Sequence, residues 1–248
     1  MNVRSDQVPE PARTAWLRLH HGLQAILGDD LIALWAHGGT LASPQPRPAD
    51  LDTYVILAGW PDEATVLQIL HLHESIEGDL GIEWDTWYVT EDDARGSTPP
   101  KHAFRDDRID QSWAVQRAHW LAGRYWSLHG PPPDELVTAP TAAEIAADLD
   151  EELEHLQRHV DAGDTDPYEA TYAVLNGSRI LHTLKTGDPA ISKGEAGAWG
   201  LEHLPDRWHP LIEAALSNYD GLPTPSDARL LATGMAPFVA MVGGELQR

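Results

Sequence analysis

Two aspartates one residue apart, Asp50 and Asp52, open an apolar run that continues Thr53-Tyr54-Val55-Ile56-Leu57. Side chains alternate along a strand, so Asp50 and Asp52 project to the same face. Carboxylates held that close repel one another unless a positive charge lies between them. A hard divalent cation such as Mg²⁺, bound through one or two carboxylates plus substrate phosphates, removes that repulsion. The chemistry this pattern permits is metal-dependent phosphoryl or nucleotidyl transfer. Glu83 and Asp85 share one face of a later apolar run. Either supplies a third carboxylate, as a metal ligand or as the base that takes a proton from an attacking hydroxyl.

Upstream, the run Leu31–Ala36 ends in His37-Gly38-Gly39-Thr40. A glycine pair between a strand and a loop lets backbone N–H groups approach an anion closely. It is not a nucleotide loop of the GxxxxGK[ST] kind, because it lacks the lysine and no helix obviously follows. Lys193 is one of only 17 basic residues and stands just inside an expected helix N-terminus. The helix dipole disfavours a cation there, so the ammonium and the exposed N–H groups together form a candidate phosphate site. The histidines make no convincing zinc site. His71 and His73 point different ways on a helix, and His155 and His159 share a face without a third ligand. No GxSxG stretch supports a serine hydrolase.

These residues need elements to hold them. Apolar residues at helical spacing predict a helix over 14–27. Strands are expected over 31–36, 51–58 and 82–89, with a helix over 64–76 between the last two. On the third strand Glu83, Asp85 and Trp87 take one face, and Ile82, Trp84, Thr86 and Tyr88 the other. Residues 41–49 hold three prolines and predict a loop. Residues 92–109 are polar and read as a loop, and 111–128 as a helix carrying Trp113, Trp120 and Trp126. Gly130-Pro131-Pro132-Pro133 reads as a domain hinge, dividing the chain into 1–133 and 134–248. The first part is an α/β unit with a small mixed sheet. The second is all-helical, with helices over 142–160, 168–184, 193–204 and 205–219. A last one, capped by Ser226, runs to about residue 242. Ser192 and Glu195 have capping-box spacing.

The bulk numbers exclude several classes. With 17 basic and 39 acidic residues the formal charge is −22. That argues against nucleic acid and anionic membranes as partners and favours small cationic molecules. There is no cysteine, hence no disulfide and no thiolate zinc site. No apolar run reaches a membrane span and the N-terminal segment has no apolar signal core, so the expectation is a cytoplasmic protein, with a monomer plausible. Ten tryptophans suggest an aromatic-lined cleft or a Trp-rich core.

Several stretches resemble the aminoglycoside 3''-adenylyltransferases of the streptomycin/spectinomycin type, in the nucleotidyltransferase superfamily of DNA polymerase beta type. The family's strand–Gly-Ser–loop–Asp-x-Asp pattern falls on His37-Gly38-Gly39 and Asp50-Leu51-Asp52. Its third carboxylate falls best on Asp85, with Glu83 as the fallback. Leu128-His129-Gly130-Pro131-Pro132-Pro133 is similar to the family's Leu-x-Gly-Pro-Pro-Pro junction. The run from Tyr172 to Gly187 resembles its YxVLNxxRxLYTLxTG helix, with His182 where a tyrosine is usual. Residues 192–199 resemble its SKxEAxxW motif, and 204–208 its LPxRW motif. The resemblance implies a nucleotidyltransferase domain followed by a helical domain, with Mg²⁺ and ATP as cofactors. It implies AMP transfer to a hydroxyl of an aminoglycoside or similar cationic molecule. Asp50, Asp52 and Asp85 then hold metal, Asp85 or Glu83 serves as base, and Gly38, Gly39, Thr40 and Lys193 hold the nucleotide phosphates. Gly39 stands where the family has serine. That departure motivates two alternatives: a nucleotide- or ligand-binding protein impaired in catalysis, or an enzyme with a different hydroxylated acceptor. Asp148, Glu151 and Glu152, with Trp113 or Trp120, are further candidates for acceptor contacts.

Overall fold

A computed structural model describes residues 3–42, 50–163 and 166–248. In chain order the first part holds α1 (Ala12–Leu27), β1 (Leu31–Ala36), α2 (Gly39–Ala42), β2 (Asp50–Leu57), α3 (Glu63–Leu80), β3 (Glu83–Thr90), α4 (Glu91–Arg95), β4 (Lys101–His102), β5 (Arg105–Ile109), α5 (Trp113–Leu121), β6 (Trp126–His129) and α6 (Pro133–Leu136). The second part holds α7 (Ala142–Asp161), α8 (Pro167–Thr186), α9 (Lys193–His203), α10 (His209–Tyr219) and α11 (Pro225–Leu246). The two compact units are 1–141 and 142–248. The division falls after Thr141 rather than after Pro133, because Leu136 and Val137 pack into the aromatic core of the first unit.

The sheet of the first unit has the order β3-β2-β1-β6. β2 and β3 run parallel, while β1 is antiparallel to both β2 and β6. The mixed sheet expected from the sequence is therefore present, with one more strand. Alternation sorts the side chains into two cores. Leu34, Ala36, Leu51, Val55, Leu57 and Tyr88 face the helices α1 and α3, whose stripe residues include Trp16, Leu19, Leu23, Ile69 and Ile76. Within that layer the indole N–H of Trp16 donates to Thr53 Oγ1 at 2.9 Å. Ala33, Trp35, Tyr54, Ile56 and Val89 form the opposite face and pack on Trp113 and Trp120 of α5.

Three expectations change here. The polar stretch 92–109 is not all loop. It contains α4, capped by Thr90, whose hydroxyl accepts from Asp93 N–H, and the hairpin β4–β5. The helix expected over 111–128 stops at Leu121, and β6 follows. Trp126 and Leu128 alternate onto the α1 face of the sheet, and Trp126 meets Trp16 edge-on at 6.1 Å. A tryptophan every six or seven residues fits a helix stripe, but the pairing of β6 with β1 takes precedence over the local pattern. Trp113 and Trp120, at 0% and 1% exposure, are core residues, so neither lines a cleft.

The helical unit packs around α8, whose Ala173, Val174, Leu175, Ile180 and Leu181 are buried. Its ends follow capping rules. Asp166 accepts from Tyr168 N–H with Pro167 at the first helical position, and Ser192 and Glu195 form the expected capping box of α9. The last helix begins earlier than expected. Its cap is Thr224, which forms a capping box with Asp227, and not Ser226.

Candidate active site

The site is built where β1 and β2 meet. β1 ends at Ala36, and the N–H of His37 donates to the carbonyl of Asp52 at 3.0 Å. Gly38 follows with φ +85°. A Cβ at that position would overlap the carboxylate of Asp52, so only glycine permits this turn and this side chain together. The chain then enters α2, one helical turn comprising Gly39, Thr40, Leu41 and Ala42. A helix does follow the glycines, contrary to the sequence expectation. Thr40 is buried at 5% exposure, and Gly39 is half-buried.

β2 and β3 pair in parallel with Asp50 opposite Glu83 and Asp52 opposite Asp85. Register fixes the faces: Asp52 and Asp85 project side by side, on the face that carries Tyr54 and Trp87 one alternation further along. Both carboxylates are half-buried, whereas Glu83 is exposed. Asp50 heads β2, and its side chain lies outside the described residues. Adjacent strands are separated by about 4.8 Å. Two anions at that spacing, partly withdrawn from water, suit a divalent cation between them. Among the described residues no group of three or more His, Asp or Glu side chains is gathered closely enough to hold a metal ion. The donor set is all oxygen, as Mg²⁺ requires.

Beneath this pair lies a polar layer that the sequence did not reveal. The Tyr54 hydroxyl donates to Oδ2 of Asp110, a carboxylate only 3% exposed. Asp110 Oδ1 accepts from Ser112 N–H at 3.0 Å and from Ser112 Oγ at 2.8 Å. Burial pushes the Asp110 carboxyl up and the charge of Asp85 adds to it, while the bonds from Tyr54 and Ser112 pull the other way. Burial likewise raises the Tyr54 phenol well above its usual range, helped by Asp110 and then by Asp85 and Asp52. His37 Nδ1 is paired with Gln116 Nε2 at 3.1 Å, and its Nε2 is buried without a protein partner. Burial lowers the His37 imidazole to about 3, so it is neutral. His37 was visible as part of the glycine motif. Asp110 was not, since an Asp in a polar stretch beside Ser112 looks like a surface turn.

Lys193, in the helical unit, is the first residue of α9, directly after the cap Ser192. Its Nζ lies 4.7 Å from the ring centroid of Tyr172. The segment leading to it is held by Arg179, whose Nε donates to the Ile191 carbonyl at 3.1 Å. On α7, Glu151 lies 3.7 Å from Arg158, and Glu152 accepts from the Tyr172 hydroxyl at 3.5 Å. Asp148 is buried at 9% exposure.

Residues 136–240 match the family model described as the C-terminal domain of aminoglycoside adenylyltransferase. The adenylyltransferase resemblance is borne out. So is the assignment to a nucleotidyltransferase type of enzyme. The fold is similar to that of spectinomycin adenyltransferase AAD(9) from Enterococcus faecialis, whose crystal structure contains ATP and spectinomycin. The similarity has a TM-score of 0.74 at 13% identity and covers 95% of this chain and 99% of the other. An adenylyltransferase fold, α/β first and helical after, thus extends over nearly the whole chain. No curated protein matches the sequence significantly. No helix of the described residues is long and apolar enough to cross a membrane.

Proposed function

We propose that this protein is a Mg²⁺-dependent adenylyltransferase that moves AMP from ATP to a hydroxyl of an aminoglycoside or a similar cationic small molecule. The observation that carries the reading is the pairing of Asp52 with Asp85 in register, with Gly38 cut back to make room for the Asp52 carboxylate. Asp50, Asp52 and Asp85 hold the metal, which when bound neutralises phosphate charge and orients the α-phosphate. Asp85 is preferred to Glu83 as base because it stands level with Asp52, whereas Glu83 is one alternation nearer the strand start and exposed. The acceptor hydroxyl oxygen forms a bond to the α-phosphorus, its proton passes to Asp85, and the bond to the β-phosphate oxygen breaks to release pyrophosphate. Backbone groups of Gly38, Gly39 and Thr40 hold phosphate oxygens, and the Lys193 ammonium is proposed on its own as a further phosphate ligand. The charge of −22 suits an acceptor bearing ammonium groups. Such a reaction would run in the cytoplasm, where ATP is available, and would make the protein an antibiotic-resistance factor.

Pyrophosphate release from ATP and Mg²⁺ with spectinomycin or streptomycin tests this reading. Release that vanishes in Asp52→Asn, with one AMP added to the drug by mass, is expected. A second reading keeps nucleotide binding without transfer. The burial of Thr40 favours it, because the residue whose hydroxyl could replace the family serine is only 5% exposed. Nucleotide binding with no product from any acceptor would establish that reading instead.

A further inference from the structure

We infer that Asp110 and Gln116 are positioning residues of the carboxylate site, acting through Tyr54 and His37 on Asp52 and the Gly38 turn. The inference rests on the adenylyltransferase reading above.

The two residues flank the start of α5, and each reaches one of the two strand ends that form the site. Asp110 takes the hydroxyl of Tyr54, which is two residues along β2 from Asp52 and on the same face. Gln116 holds the ring of His37, the residue before Gly38. The backbone of His37 in turn donates to the carbonyl of Asp52 at 3.0 Å. A displacement of either ring therefore moves the Gly38–Asp52 contact, where no room exists for even one added carbon.

Stability alone does not call for these groups. The surrounding layer is aromatic: Trp113, Trp120 and Trp35 lie there, and Trp120 meets Tyr54 at 4.7 Å and His37 at 6.0 Å. A carboxylate and an imidazole placed among such rings lose hydration, and apolar groups of similar volume would serve the core at least as well. What hydrogen bonds add and apolar contacts lack is direction. Asp110 is itself fixed by two bonds from Ser112, and its own N–H donates to the Pro100 carbonyl at 3.0 Å. The anchor is rigid before it reaches Tyr54. A reacting carboxylate displaced by about 1 Å loses roughly 100-fold in rate, which is the scale on which such anchoring matters.

The test compares Gln116→Leu, Asp110→Ala and Asp110→Asn with the full-length wild type and with Asp52→Asn. Pyrophosphate release with ATP, Mg²⁺ and spectinomycin gives kcat and KM. Titration with Mn²⁺, a stand-in for Mg²⁺ followed by water proton relaxation, gives a metal affinity independent of turnover. Gln116 is half-buried on a helix, so Gln116→Leu is expected to melt within a few degrees of wild type. It should nevertheless lose at least tenfold in kcat. Asp110→Ala should lose at least tenfold in kcat and in Mn²⁺ affinity, and Asp110→Asn, which can still bond Tyr54 and Ser112, should recover most of both. Wild-type kcat and Mn²⁺ affinity in folded Gln116→Leu and Asp110→Ala, with Asp52→Asn inactive, would overturn the inference alone. A wild type that neither releases pyrophosphate nor binds Mn²⁺ would overturn the adenylyltransferase reading and this inference with it. Should Asp110→Ala fail to fold, Gln116→Leu decides.

Discussion

Replacing Gly38 by alanine separates two costs that usually come mixed. The first is conformational: with φ +85°, an L residue at 38 pays about 1–2 kcal/mol for the left-handed backbone. The second is steric, because the new Cβ would overlap the Asp52 carboxylate. Relief requires the carboxylate to swing away or the turn to shift, at about 1–3 kcal/mol. Gly38→Ala should therefore destabilise the first unit by about 2–5 kcal/mol, the sum of the two ranges. Gly81, the C-cap of α3, supplies the control. It has φ +63° and nothing within 4 Å of its would-be Cβ, so Gly81→Ala carries the first cost alone. In a double-mutant cycle, Asp52→Ala should restore Gly38→Ala to the Gly81→Ala level, leaving a coupling of about 1–3 kcal/mol. Urea unfolding followed by tryptophan fluorescence measures this, since eight of the ten tryptophans lie within residues 1–141. A Gly38→Ala cost no larger than that of Gly81→Ala, or one undiminished by Asp52→Ala, refutes the proposed contact between the turn and the carboxylate.

The remaining predictions concern the site and its surroundings. Asp85→Asn should reduce pyrophosphate release at least 100-fold while Glu83→Gln stays within about threefold, and equal losses would remove the preference for Asp85. Lys193→Ala should abolish most of the thermal stabilisation given by ATP and Mg²⁺ without unfolding α9, because the capping box is made by Ser192 and Glu195. An unchanged ATP-induced shift would dismiss the phosphate role. Two half-buried histidines make stability fall with acid. Burial lowers His37 to about 3, and burial with the charges of Arg105 and His102 lowers His73 to about 4. Below the unfolded value of about 6.5, the unfolded chain binds protons that the native one refuses. Stability then drops as pH falls from about 6.5 toward 4, with a slope approaching 1.4 kcal/mol per unit for each histidine. His73 also bonds the Tyr88 hydroxyl at 2.7 Å. His73→Gln should flatten the pH dependence of the urea midpoint, and a slope identical to wild type would show that His73 titrates normally.

What could be read from the chain followed from local rules. Alternation placed Glu83, Asp85 and Trp87 on one face of β3, and the structure keeps them there. Composition and helical spacing identified the helical half, and the pairing of Ser192 with Glu195 located the start of α9. These features depend on neighbours within a turn or a strand, so a sequence window contains all their causes. The aspartate pair likewise announced itself, because two carboxylates at the head of an apolar strand have no packing reason to be there.

Other features needed partners distant in sequence. Whether Asp85 or Glu83 stands beside Asp52 is a matter of register between strands some thirty residues apart, and two residues of slip would reverse the answer. Trp126 joined a strand because β1 offered an unpaired edge, a fact that no window around residue 126 contains. Asp110 carries no local mark of its place under the site, where Tyr54 meets it across 56 positions of chain. The sequence by itself determined which chemical groups exist and which face of its own strand or helix each occupies. Only the tertiary structure decided which of those faces meet, because pairing register and burial are set by long-range contacts whose free energy no local segment carries.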